Sequence, residues 1–146
     1  MNRFSSLILL SCLILLSCSR NMNGPSSGPA LNIVRAVQLG HRLQKVFFIN
    51  EQHGWALTDS SGIYRTTDGG STWEYSSFDV KTLLTDMSFV NSSTGWVCGF
   101  DTTVLRTTDG GRTWTRQMVQ NADDSIIHHI KFSTESDGWL VTTMGA

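Results

Sequence analysis

Two octapeptides gather the residues whose types and spacing suggest chemistry. Thr66-Thr67-Asp68-Gly69-Gly70-Ser71-Thr72-Trp73 returns 41 residues later as Thr107-Thr108-Asp109-Gly110-Gly111-Arg112-Thr113-Trp114, with seven of the eight positions identical. A carboxylate set among hydroxyls on a Gly-Gly turn has three uses: catalysis, metal binding or closure of the turn itself. An element repeated once per unit cannot converge on one centre, so Asp68 and Asp109 are expected to be structural. Gly69, Gly70, Gly110 and Gly111 tolerate positive φ, and the carboxylate can accept hydrogen bonds from amides two or three residues on. Thr72 and Thr113 add hydroxyl partners, and Trp73 and Trp114 bring large apolar surfaces to bury. All five tryptophans occupy two repeat positions, which marks them as core.

The remaining chemistry-bearing residues are weaker candidates. Asp59, Asp79, Asp86, Asp101, Asp123, Asp124, Glu135 and Asp137 fall in predicted turns or strand ends, where exposed carboxylates are ordinary. A glycosidase would need two of them about 5–10 Å apart. His128-His129 suggests a metal, but neighbouring strand residues point to opposite faces, so one is expected buried and one exposed. Cys12, Cys18 and Cys98 form no C-x-x-C pair, and Cys98 reads as an inert core thiol. No catalytic residue, metal site or cofactor is expected. With 16% charged residues and a net charge of −1, nothing points to nucleic acid.

These residues must be positioned by short strands. Gly54-Trp55 recurs as Gly95-Trp96 and Gly138-Trp139, and Phe48, Phe89 and Phe132 keep the same spacings of 41 and 43. Each unit contains an apolar run, a polar turn, a Gly-Trp run, a second turn, a run such as Ile63–Thr66, and a last run after Asp-Gly-Gly. Four short strands per 40-odd residues with Gly-rich turns give an all-β chain of β-propeller blades. The blades are expected at about 43–80, 84–121 and 127–146, making two and a half. A propeller closes with about four to eight blades. The expectation is therefore a fragment of a larger propeller, or copies assembling into a ring. Asn32 to Val37 is expected as an orphan outer strand of the kind that closes such rings.

The first residues read as an address. Arg3 precedes the apolar run Leu7–Leu16, too short to cross a bilayer as a helix and suited to a secretory signal. Its end, Leu15-Leu16-Ser17-Cys18, resembles the bacterial lipobox. This implies a signal peptide at 1–17, a lipid on Cys18 and a small, polar tether at 18–30. The alternative is an ordinary secretory signal with Cys18 incidental. The expected location is the membrane on the periplasmic side or cell surface, the outer membrane in a Gram-negative cell.

The strings GWALTDSSGIYRTTDGGSTW (54–73) and GWVCGFDTTVLRTTDGGRTW (95–114) resemble the BNR/Asp-box propellers. They are most similar to the photosystem II stability/assembly factor-like branch. The resemblance covers about Leu43 to Gly145 and implies a non-enzymatic binding or assembly module with a protein partner. It also implies a basic partner surface, for which Arg65 and Arg106 of the Arg-Thr-Thr-Asp slot are candidates; the other reading packs them along the blade edge. Asp boxes also occur in sialidases and other glycoside hydrolases, so a carbohydrate-active propeller is the alternative. No Phe-Arg-Ile-Pro segment of the sialidase kind is present.

Overall fold

The computed structural model describes residues 37–120 and 126–143. The leader with Cys18, the tether, Asp123, Asp124 and residues 32–36 of the expected orphan strand lie outside them. Val37 is exposed and belongs to no strand.

Ten strands and no helix occur among the described residues: β1 (Leu43–Phe48), β2 (Gly54–Thr58), β3 (Gly62–Thr66), β4 (Glu74–Ser77), β5 (Leu84–Phe89), β6 (Gly95–Gly99), β7 (Val104–Thr107), β8 (Thr115–Gln117), β9 (Ile126–Phe132) and β10 (Gly138–Thr143). They form three antiparallel sheets, β1-β2-β3-β4, β5-β6-β7-β8 and β9-β10. The chain is thus an all-β propeller segment of two four-stranded blades and half of a third.

The recurring Phe and Gly-Trp explain each other. Phe48 pairs with Gly54, Phe89 with Gly95 and Phe132 with Gly138 across neighbouring strands. The ring lies over the glycine, where an added Cβ would come within 2.6 Å of Phe48, 2.2 Å of Phe89 and 2.7 Å of Phe132. So placed, the ring of one blade meets the tryptophan of the blade before it. Trp55 stacks on Phe89 with centroids 3.6 Å apart and planes at 9°, and Trp96 on Phe132 at 3.7 Å and 6°.

The core lies in the seams between sheets, as expected of an array whose units bury apolar surface on their neighbours. Trp55, Leu57, Ile63, Phe78, Leu84, Met87, Phe89, Val97 and Leu105 fill the first seam. Trp96, Cys98, Val104, Ile127 and Ile130 fill the second. The expectation that every tryptophan is core fails at Trp139, which is 63% exposed because no described blade follows β10. Trp73 and Trp114 are half-buried.

Each first strand carries a bulge that the sequence pattern did not reveal. Pairing skips Gln44 between Leu43 and Lys45, Thr85 between Leu84 and Asp86, and His128 between Ile127 and His129. These skipped residues occupy one repeat slot, as do Lys45, Asp86 and His129. A bulge disrupts strict alternation and re-aims side chains. This corrects two expectations. Neither histidine is buried: His128 is half-buried and His129 exposed, while Ile127 and Ile130 take the buried positions. Asp86 is not an exposed turn carboxylate but lies within β5, 3% exposed.

Candidate functional site

The Asp-box turns stand at one end of the first two blades. Asp68 Oδ1 accepts from the Thr72 amide at 2.9 Å and the Thr66 hydroxyl at 2.8 Å, while Oδ2 accepts from the Thr72 hydroxyl at 2.7 Å. Asp109 repeats the pattern with the Thr113 amide at 2.9 Å, the Thr107 hydroxyl at 2.8 Å and the Thr113 hydroxyl at 2.6 Å. Gly69, Gly70, Gly110 and Gly111 hold φ of 69°, 82°, 75° and 94°, where a side chain would be strained.

These bonds favour the charged carboxylate. The Thr72 amide, then the Thr72 and Thr66 hydroxyls, lower Asp68 to about 2. Burial pushes Asp109 upward, but the Thr113 hydroxyl and amide, the Thr107 hydroxyl and the Arg112 amide outweigh it and leave Asp109 at about 2. Both are anions at neutral pH with their lone pairs engaged, a poor state for a proton donor.

The second turn is also part of a seam. The Trp55 indole donates to the Gly110 carbonyl at 2.8 Å, so the Asp box of one blade receives the tryptophan of the blade before it. Above this bond lies a polar pocket of about 240 Å³, lined by His53, Trp55, Arg65, Thr66, Thr67, Ser92, Ser93, Asp109 and Arg112. Two guanidinium groups, an imidazole and four hydroxyls surround one carboxylate that is already satisfied. The pocket is suited to hydrogen-bonding and charge recognition.

The two repeated arginines are placed differently. Arg65 is 9% exposed, with its guanidinium on the Glu74 carboxylate. That bond, then the Arg65 charge, lowers the Glu74 pKa. Arg106 lies 5.5 Å above the Trp96 ring and 3.7 Å from Glu135 of the third sheet. Glu135 also accepts from Asn91 Nδ2 at 3.1 Å and the Thr94 hydroxyl at 3.3 Å, tying the second and third sheets together. Glu135 corresponds to Ser92 one blade earlier, so the acid that meets Arg106 has no counterpart for Arg65, whose ion pair is with Glu74 of its own blade.

Sequence reasoning missed the cluster around Asp86. Its carboxylate pairs with Lys45 and accepts from the Met87 amide at 2.8 Å and the Ile130 amide at 3.1 Å. His129 Nδ1 lies 3.4 Å away. The residues of one slot in three successive sheets therefore meet. The available signal was the 41- and 43-residue spacing, which the mixture of Lys, Asp and His concealed. Among the described residues no group of His, Cys, Asp and Glu comes together to hold a metal.

Comparison with known proteins agrees with this architecture. The family model of the photosynthesis system II assembly factor YCF48 matches residues 74–145. A solved structure of YCF48 bound to D1 peptide superposes with a TM-score of 0.65 at 27% identity, over 78% of this chain and 39% of that one. The Asp-box blades of this chain are thus similar to those of the photosystem II assembly-factor-like branch. YCF48 from Cyanidioschyzon merolae shares the fold, with a TM-score of 0.59 at 19% identity, over 73% of this chain and 37% of that one. The chain thus spans under two-fifths of the length of these structures. No curated protein matches it.

Proposed function

We propose that this chain is a membrane-tethered, non-enzymatic module that binds a segment of a protein partner outside the cytoplasm. The observation that carries this reading is the seam pocket, in which Arg65, Arg112 and His53 stand among hydroxyls beside a carboxylate already satisfied. An extended peptide offers the carbonyls and carboxylates such a surface recognises. Similarity to a YCF48 structure bound to D1 peptide supports a protein partner. The tether rests on the lipobox-like Leu15-Leu16-Ser17-Cys18. The carbohydrate-active alternative draws no support from the pocket, which is lined by one carboxylate where a glycosidase uses two.

The test is titration of the mature chain with fluorescent peptides ending in a free carboxylate or in an amide. Saturable binding that weakens with rising salt, and falls at least tenfold in Arg112→Ala, is expected. Absence of peptide binding together with hydrolysis of glycoside substrates would reverse the assignment. Mass spectrometry of the membrane-extracted protein should find acylated Cys18 at its N-terminus; an unmodified N-terminus elsewhere would remove the tether.

A further inference from the structure

We propose that the pocket in the seam between the first two blades receives a glutamate side chain of the bound peptide, at the place where the next seam holds a glutamate of this chain's own. The proposal rests on the peptide-binding reading above and names the group that the pocket takes.

The second seam supplies the pattern. There Glu135 of the β9–β10 turn lies 3.7 Å from Arg106 and accepts from Asn91 Nδ2 and the Thr94 hydroxyl. One blade earlier the same positions are Ser92, Arg65, Asn50 and His53. The basic and polar half of the arrangement is kept. Asn50 Oδ1 accepts from the Gln52 and His53 amides at 2.9 and 2.8 Å, as Asn91 Oδ1 accepts from the Ser93 and Thr94 amides at 2.8 and 2.7 Å, so the two turns are wound alike. The acid is not kept. Glu51 and Glu135 hold this slot in the first and third sheets, and the second sheet has Ser92 there. With a serine in place of the longer side chain the seam stays open, and Ser92 lines the pocket of about 240 Å³ together with Arg65 and His53.

The carboxylates already nearby leave donors to spare. Glu74 engages Arg65 Nη2 from their own blade and does not line the pocket. Arg65 is 9% exposed, and its Nη1 has no hydrogen-bond partner among the described residues. That nitrogen lies 4.0 Å from where a Cβ would stand on Gly110 of the facing blade, so it points across the seam. Asp109 is engaged by the donors of its own turn. Arg112, on the opposite wall, forms no ion pair among the described residues, and its Nη1 reaches the Asp109 carbonyl at 3.3 Å. Guanidinium donors on both walls suit a carboxylate placed between them. Glu135 meets its arginine from a side chain while its main chain runs past the seam on both sides, and a glutamate within an extended peptide can do the same.

Titration of the mature chain with a short labelled peptide blocked at both ends and carrying one central glutamate tests this. Two counterparts replace that glutamate by glutamine, one of them with a free C-terminal carboxylate. The glutamate peptide should bind roughly tenfold more tightly than either, the scale of a hydrogen-bonded charge. Ser92→Glu should supply the acid from within, melt at a higher temperature than wild type and lose that preference. Ser92→Gln, equally long and uncharged, should keep the preference and the wild-type melt. Ser92 is exposed, so both variants should keep the far-ultraviolet circular dichroism of wild type. A glutamate peptide that binds no tighter than either counterpart, or a preference that survives Ser92→Glu, would overturn the proposal and leave the peptide-binding reading standing. Equal loss in Ser92→Gln would assign the effect to bulk and overturn it as well. Binding of none of the three peptides would overturn the proposal and that reading together.

Discussion

The indole of Trp55 lies flat on the ring of Phe89 while its N–H reaches the Gly110 carbonyl, so one side chain fastens its blade to both the first strand and the Asp-box turn of the next. Removing it should cost more than an isolated aromatic contact. Trp55→Ala is expected to lower unfolding free energy by about 3–5 kcal/mol, the range for large buried aromatics. Trp55→Phe, which keeps a ring and loses the hydrogen bond, should cost less. Urea unfolding of both variants decides this, and equal losses would show that the indole bond contributes nothing.

The Asp-box carboxylates set an acid limit. Asp68 and Asp109 are lowered from 3.8 to about 2. A lowered carboxylate contributes stability that is present above its unfolded pKa and disappears as pH falls through the folded value. The melting temperature should therefore decline as pH drops from about 4 towards 2. Asp109→Asn should flatten that decline at the expense of stability at neutral pH. An unchanged acid profile in Asp109→Asn would deny the turn this role.

Asp86 should behave as a buried acceptor. Asp86→Ala strips the Met87 and Ile130 amides of their partner, and unsatisfied buried groups cost about 1–3 kcal/mol each. The variant should lose about 2–4 kcal/mol in denaturant titration. Lys45→Met should cost less, since Lys45 is partly exposed and both amides keep their acceptor. A larger loss from Lys45→Met would mean that the ion pair outweighs the amide bonds.

Gly99 offers a steric test. A Cβ there would lie 2.1 Å from the Leu83 carbonyl oxygen and 2.7 Å from Leu84 Cα, both backbone atoms that cannot swing aside. Gly99→Ala should destabilise by about 1–3 kcal/mol, the scale of overpacking. Chemical denaturation of the alanine variant with no loss of stability would show that the β5–β6 bulge can relax.

Cys98 should resist thiol reagents in the native protein. Burial pushes its pKa up to about 11, leaving little thiolate at neutral pH. Labelling should proceed only on unfolding, and rapid native labelling would contradict the packing.

What the sequence made legible follows from what repeats. Phe48, Phe89 and Phe132, the Gly-Trp pairs and the two Asp boxes recur with their identities kept, because a stacked ring and a left-handed glycine have few substitutes. The strand order could be read from them. The bulges at Gln44, Thr85 and His128 could not, since a bulge constrains backbone geometry and leaves the side chain free to vary. Asp86 was missed for that reason: without the bulge it reads as one more polar residue near a strand end. The exposure of Trp139 was hidden because slot identity says which face a residue occupies, not whether a neighbour covers it.

The differing charges of Lys45, Asp86 and His129 have a consequence for how the array finds its order. Blades so alike that seven of eight turn residues coincide risk being mispaired during folding, because any stacking aromatic fits any other. A skip that set the third sheet directly against the first would bring His129 to Lys45 and leave the Asp86 carboxylate without its lysine. Only the sequential arrangement gives that buried anion both its cation and the Ile130 amide. The aromatic slots make the blades interchangeable; this one position gives each an address.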